Sequence, residues 1–253
     1  RELRNLEETH KYLKQDIEQG FEITKLKSLL ITQNSYKTNA NNHINYLLDK
    51  TVSLLKFKKF ININEDDTTS VSDNGRIASL FKEIHPLMMT DIMHQTNYFH
   101  DFAVEEIAAF FACFANVNVS DDIKAHNPIS ASQKLNELTS TMNKLLDEYY
   151  DLEVQYDINT GSNYERNFDI QQYIINWCNA ADEELCKGVL NDMKGDTGIF
   201  LGEFIKAILK INNIAVEVEK AAELMQNLEL VEKMRKIPVL TLKYVATNQS
   251  LYI

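Results

Sequence analysis

Between Gly75 and Gly161 the chain runs without a glycine, and its 253 residues hold only seven glycines and three prolines. A chain so poor in breakers has few places to turn tightly or to leave a helix once begun. Leu, Ile, Glu and Lys fill the intervening stretches and favour helix. The expected fold is mainly α: a helical bundle preceded by a small winged-helix-like element with a short β-hairpin. Apolar residues make up 44% of the chain, enough for a core in one large domain or two smaller ones.

The N-terminal stretch spaces Leu3, Leu6, His10, Leu13 and Ile17 by alternating threes and fours, a seam-like pattern, and Gly20 is expected to end or bend it. It reads as one strut of an antiparallel helix pair or as an amphipathic helix on a globular core. Residues 41–55 read as a helix with Ile44, Leu47, Leu48, Val52 and Leu55 on one broad face. The period then changes. Phe60, Ile61 and Ile63 sit in an alternating run, Glu65-Asp66-Asp67 reads as a turn, and the run from Thr68 to Val71 is strand-like. Asn74-Gly75 is a turn dipeptide by composition. Helix, hairpin, helix is the order of a winged helix, and equally that of a small hairpin between packed helices.

Downstream, Phe102 to Phe114 spells FAVEEIAAFFACF, with Ile107, Phe110, Phe111 and Phe114 at helical spacing. Asp101 stands where it could cap the helix or complement its positive end. After a loop around Asp121-Asp122 and Asn127-Pro128, Ser130 or Ser132 can cap a helix carrying Leu135, Leu138, Met142, Leu145 and Leu146. Residues 157–166 have turn chemistry and no period. Ile170, Tyr173, Ile174 and Trp177 mark the next helix, with Trp177 read as core. Gly188, Gly195 and Gly198 are expected to punctuate a break. A long helix follows over residues 200–225, with Leu201, Phe204, Ile205, Ile208, Ile211 and Ala215 as its buried stripe. A shorter helix over 228–236 is expected to end at Pro238. The segments are 1–39, a stalk or strut; 40–85, winged-helix-like; and 86–253, the bundle.

A net charge of −11 disfavours a broad face for duplex DNA but allows a small basic spot. Cys113, Cys178 and Cys186 are odd in number and contain no CxxC, so neither a disulfide framework nor a zinc site is expected, and a reducing intracellular compartment fits. No apolar run approaches a membrane span. Neither G-x-x-x-x-G-K-[ST] nor G-x-G-x-x-G occurs, and no glycine-flanked serine elbow. His94 and His100 are spaced wrongly for one helix face and read as surface or capping residues. Asp182, Glu183 and Glu184 are adjacent and diverge on a helix. No catalytic residue and no metal ligand is assigned. Lys206 and Lys210, one turn apart, could hold successive phosphates of a single strand without reading sequence. On pattern alone the favoured reading is a solvated face, with Lys206 near Glu203.

Several blocks together resemble a known family. Asn74-Gly75-Arg76-Ile77-Ala78-Ser79 is similar to a G-R-[VI]-A element, and Leu87 to Asp91 to L-x-L-T-E. Residues 101–114 resemble L-x-P-E-E-x-A-A-L-L-S-C-F, with Val104 in place of the proline. Residues 200–228, including Ala221-Ala222-Glu223, resemble a last long helix, and the tail Ser250-Leu251-Tyr252-Ile253 resembles a terminal S-L-Y-L. Over roughly residues 40–253 the chain resembles the C-terminal DSHCT region of superkiller-type, exosome-associated DExH-box RNA helicases. The resemblance implies an ATP-dependent 3′–5′ RNA helicase of RNA decay or processing, nuclear or cytoplasmic, of which this chain is the C-terminal fragment. ATP and magnesium would belong to upstream motor domains. This part would guide single-stranded RNA and brace the motor, with RNA-decay proteins as further partners and no membrane. Lys206 and Lys210 match two arginine positions that touch the RNA backbone, and Asn118 aligns where the family often has Glu. The family's W-x-x-G reads Trp177-Cys178-Asn179-Ala180 here, with residues inserted before Phe200. The apolar tail would be a natural C-terminus packed on the body, and the absent initial methionine would reflect missing motors. The alternative is a stand-alone helical adaptor for protein partners. A related DNA helicase would differ in substrate only.

Overall fold

The computed structural model describes residues 12–128 and 130–244. The expected seam at Leu3, Leu6 and His10 and the terminal Ser250 to Ile253 lie outside the described residues. The fold is mainly α, with nine helices and one two-stranded hairpin among the described residues. In chain order these are α1 (Leu13–Phe57), β1 (Ile61–Ile63), β2 (Thr69–Val71), α2 (Asp73–Ala78), α3 (Pro86–Gln95), α4 (Val104–Ala112), α5 (Gln133–Tyr156), α6 (Gln171–Asn179), α7 (Glu183–Thr197), α8 (Leu201–Leu224) and α9 (Leu228–Thr241). Contacts divide the chain into two units, residues 1–53 and 54–253.

In the first unit, α1 passes straight through Gly20 without ending there. Its described side chains are exposed along most of their length, including Phe21, Leu26, Leu30 and Ile31. Hydroxyls on this helix turn back on the backbone, as Thr24 and Thr32 do toward the carbonyls of Gly20 and Ser28. The broad face expected over residues 41–55 is not buried throughout. Ile44 and Leu48 are exposed, and the buried residue near the helix end is Leu54.

The second unit begins with that last turn and the hairpin. Ile61 pairs with Val71 and Ile63 with Thr69, antiparallel. Asn74-Gly75 is not the turn its composition suggests. It lies in the first turns of α2, capped by the Ser72 hydroxyl, which accepts from the Gly75 amide at 3.1 Å. Gly75 is required for close approach. A Cβ there would lie 2.3 Å from the Phe60 carbonyl oxygen and 2.8 Å from a Val71 methyl, so the hairpin could not seat on α2.

Helix α4 is the centre. Every residue from Ile107 to Cys113 is fully buried. Helices α5, α6, α8 and α9 all pack on it. Its start is held by Glu106, whose carboxylate accepts from the Ala103 amide at 3.0 Å. Asp101 does not cap it. Glu106 also accepts from the Ser132 hydroxyl, and Ser132 in turn caps α5, tying the two helix starts together.

Two breaks expected from composition are absent. Gly188 and Gly195 lie inside α7, and only Gly198 ends it, in the left-handed conformation at φ 73°. Pro238 lies inside α9, which continues to Thr241. The last turn survives because tertiary contacts hold it. The Trp177 indole donates to the Thr241 carbonyl at 2.9 Å, and Asn212 donates to the Thr241 hydroxyl at 2.9 Å. Trp177 is fully buried against Phe204, as expected of a core residue.

At the start of α3, His85 caps the helix through its ring, Nδ1 accepting from the Met88 amide at 3.2 Å. The ring packs between Tyr149 and Tyr164. Burial disfavours its charged form and lowers its pKa to about 4, and protonation of Nδ1 would also abolish the cap. In the unfolded chain the ring titrates near 6.5. Stability from neutral His85 is therefore complete above about pH 6.5 and is lost as pH falls toward 4. The expected loss is up to about 3 kcal/mol. Urea unfolding followed between pH 7 and pH 4.5 checks this. His85→Asn, a cap that does not titrate in this range, should flatten the profile. An unchanged profile would mean other groups set it.

Candidate nucleic-acid interface

Helix α8 presents two different faces because its sequence is amphipathic. Phe204, Ile205, Ile208, Ile211, Ile214, Ala215 and Val218 are buried against the bundle. Leu201, expected in that stripe, is exposed at the helix start. On the far side Lys206, Leu209, Asn213, Val216 and Lys220 are all exposed. Their spacing of three, four, three and four residues keeps them on one stripe, about 21 Å from Lys206 to Lys220. Among the described residues neither lysine forms an ion pair. Glu203 is engaged elsewhere, with its carboxylate accepting from the Phe200 amide at 3.3 Å, and makes no ion pair with Lys206.

The structure separates the two lysines that spacing had paired. Lys210 is half-buried and forms an ion pair with Glu83 at 2.6 Å. Two turns further on the same edge, the Glu217 carboxylate accepts from the backbone amides of Lys82 and Glu83 at 3.0 and 3.1 Å. Lys210 and Glu217 therefore grip the Lys82-Glu83 segment that leads into α3. Lys210 serves the fold here, and its charge is answered before any ligand arrives. Asn212, on the same helix, reaches Thr241 as described above.

Asn118 lies apart, exposed on the loop that follows α4. It lines a polar cleft of about 420 Å³ with Asn116, Lys124, Asn163, Arg166 and Asn167. The cleft is formed where the Asn167 amide donates to the Cys113 carbonyl at 2.8 Å, joining two aperiodic loops to the end of α4. Arg166 is partly engaged by Asp147 at 2.8 Å. Among the described residues no hydrogen bond or ion pair joins Asn118 to Lys206 or Lys210. Lys124 and Arg166 carried no sequence signal, because both sit in loops without period. Asn213 and Lys220 did carry one, as continuation of the exposed stripe beyond Lys206.

Other charged and nucleophilic groups are occupied or inert. Burial pushes the thiols of Cys113 and Cys178 up to about 12, leaving neither as a nucleophile. His94 bonds Asn74 and Tyr98, while His100 bonds Glu229, so the two histidines share no ligand position. No group of three His, Cys, Asp or Glu among the described residues is arranged to hold a metal, and no helix among them is long and apolar enough to cross a membrane.

Comparison with known families adds one finding. A family model described as the DSHCT (NUC185) domain matches residues 68–242, well over half of the chain. A comparison with curated proteins finds no match.

The grip of α8 on residues 82–83 ranks its members. Removing Glu217 strands two amides that now meet a carboxylate, so Glu217→Ala should cost about 2 kcal/mol. The Lys210–Glu83 pair is about one-third exposed, so Lys210→Met should cost roughly 0.2–1 kcal/mol. Urea denaturation of the two variants checks the order. A larger loss for Lys210→Met than for Glu217→Ala would contradict it.

Proposed function

Because the chain belongs to the DSHCT (NUC185) domain family, the C-terminal region of superkiller-type helicases, we propose that it guides single-stranded RNA along α8 and braces a helicase motor. The observation that carries this reading is the exposed α8 stripe, with two lysines that form no ion pair among the described residues and an asparagine between them. Exposed ammonium groups along one line attract a phosphate backbone and give affinity without sequence preference. Leu209 and Val216 interleave with them and offer apolar contact to ribose and base faces. The cleft at Asn118, with Lys124 and Arg166, is a second place where a strand could be held.

The motor chemistry lies elsewhere in this reading. These residues contain no phosphate loop, and no step of ATP hydrolysis is assigned to them. The magnesium and ATP would be held by upstream motor domains, and the 3′–5′ direction and a role in RNA decay or processing follow from the family relationship. Lys82 and Glu83, pinned by Lys210 and Glu217, supply the rigidity that a brace requires. The excess of acidic residues, 37 against 26 basic ones, favours a second reading as an adaptor for protein partners.

Lys206→Glu tests the first reading because it reverses charge at an exposed position without touching the core. Binding of a labelled single-stranded RNA should weaken roughly tenfold, and in the full-length protein RNA-stimulated ATPase should fall while unstimulated ATPase is kept. Undiminished RNA affinity in both Lys206→Glu and Lys220→Glu would remove the α8 stripe and leave the adaptor.

A further inference from the structure

Beyond the end of the α8 stripe lies a cleft of about 500 Å³ that the family relationship does not explain. Its walls come from three elements: Asn74 and Arg76 on α2, His94 and Tyr98 at the end of α3, and Leu224 and Met225 where α8 ends. We propose that this cleft is a nucleotide subsite, taking one base and its phosphate from the same single strand that runs along α8. The inference rests on the RNA-guiding reading and extends it.

Four observations converge. Arg76 is exposed on the cleft wall and makes no ion pair among the described residues, so its planar fork is available to a phosphate. Asp73, also at the rim, is the carboxylate that an amino group of a base or a ribose hydroxyl would meet. The neighbouring histidine is fixed and not itself the ligand. His94 Nε2 lies 2.9 Å from the Asn74 side-chain oxygen, and its Nδ1 lies 3.1 Å from the Tyr98 hydroxyl. An amide oxygen only accepts, so Nε2 carries the proton and Nδ1 accepts from the tyrosine. This locks Tyr98 in place with its ring edge-on to His94. Leu224 and Met225 supply an apolar wall on the α8 side, as a base face requires.

The backbone beneath Tyr98 is held in a sparsely populated conformation. Asn97, Tyr98 and Phe99 hold φ of 46°, 58° and 57°, three successive non-glycine residues in the left-handed region. Phe99 is fully buried and the Lys233 ammonium grips its carbonyl at 2.8 Å, which explains how the turn is held. Tyr98 packs partly against the core and lines the cleft with the rest of its surface. Strain of this kind collects where a side chain must be presented to a ligand.

The position also fits. Lys220 precedes Leu224 by one turn on the exposed side of α8, so a strand lying on Lys206, Asn213 and Lys220 arrives at this cleft. A cleft with an arginine unpaired among the described residues, a rigid tyrosine and an apolar wall accommodates a nucleotide better than a peptide carboxylate, for which the apolar wall and the aromatic ring would be idle.

The test uses the whole chain and a single-stranded oligonucleotide of uridines carrying one 4-thiouridine. Ultraviolet crosslinking followed by peptide mapping should place adducts at Tyr98 or Met225. Arg76→Ala should weaken the RNA roughly tenfold and reduce the salt slope by about one. Tyr98→Leu should weaken it by a similar factor through lost stacking, and Tyr98→Phe, which keeps the ring, should restore most of it. Circular dichroism of each variant separates unfolding from lost binding, and the crosslink on the unaltered chain stands whether or not a variant folds. Loss of binding in Lys206→Glu with no effect of Arg76→Ala and no adduct on the cleft would overturn the subsite and keep the α8 reading. Full binding in every variant, with no adduct, would overturn both.

Discussion

Everything in the second unit depends on burying α4 on all sides. Residues 107–113 spell IAAFFAC, and none of them reaches solvent. A helix apolar all round can exist in water only if other elements cover every face. Ile107, Phe110 and Phe111 each gain roughly 1.5–3 kcal/mol from burial. The intervening alanines keep the helix thin, so that α5, α6, α8 and α9 can all approach it. Phe99 and Phe114 extend the aromatic contacts around Phe110. The cover is thereby specified: each neighbour must offer α4 an apolar stripe, and α8 keeps an exposed stripe besides.

That division gives α8 its role. Its buried stripe is committed to the bundle, its edge grips Lys82 and Glu83, and its outer stripe remains for a partner. One helix thus couples two structural tasks, and in the proposed reading its outer stripe adds a third, the guiding of a strand. A shift of α8 by one turn would break the contact of Glu217 with two backbone amides and misplace Lys206 and Lys220 together. The rigidity of α8 and the placement of its exposed charges have the same cause.

Much of this was legible in the sequence. The period of Ile107, Phe110, Phe111 and Phe114 located α4, and that of Phe204, Ile208, Ile211 and Ala215 located α8, because both signals repeat over several turns. Signals borne by single residues misled. Gly20, Gly188 and Gly195 suggested interruptions, yet open space surrounds each and helix propensity costs only about 1 kcal/mol per glycine. Pro238 suggested an end, but Trp177 and Asn212, far away in sequence, hold the following turn. Asn74-Gly75 reads as a turn by composition, whereas the glycine is there for the Phe60 carbonyl. In the candidate site, Lys206 was visible as an exposed position of an amphipathic helix. The pairing of Lys210 with Glu83 was not, since it joins residues 127 apart. Lys124 and Arg166 beside Asn118, and Tyr98 beside Arg76, come together only through tertiary packing.

The central claim is that α8 offers one lysine pair to RNA while holding a different lysine for the fold. Lysine acetylation of the whole chain, mapped by mass spectrometry with and without a single-stranded RNA, tests it most directly. The account predicts fast acetylation of Lys206 and Lys220 that RNA suppresses, and slow acetylation of Lys210 that RNA leaves unchanged. Equal protection of Lys210 and Lys206 by RNA, or no protection of Lys206 and Lys220 at saturating RNA, would contradict it.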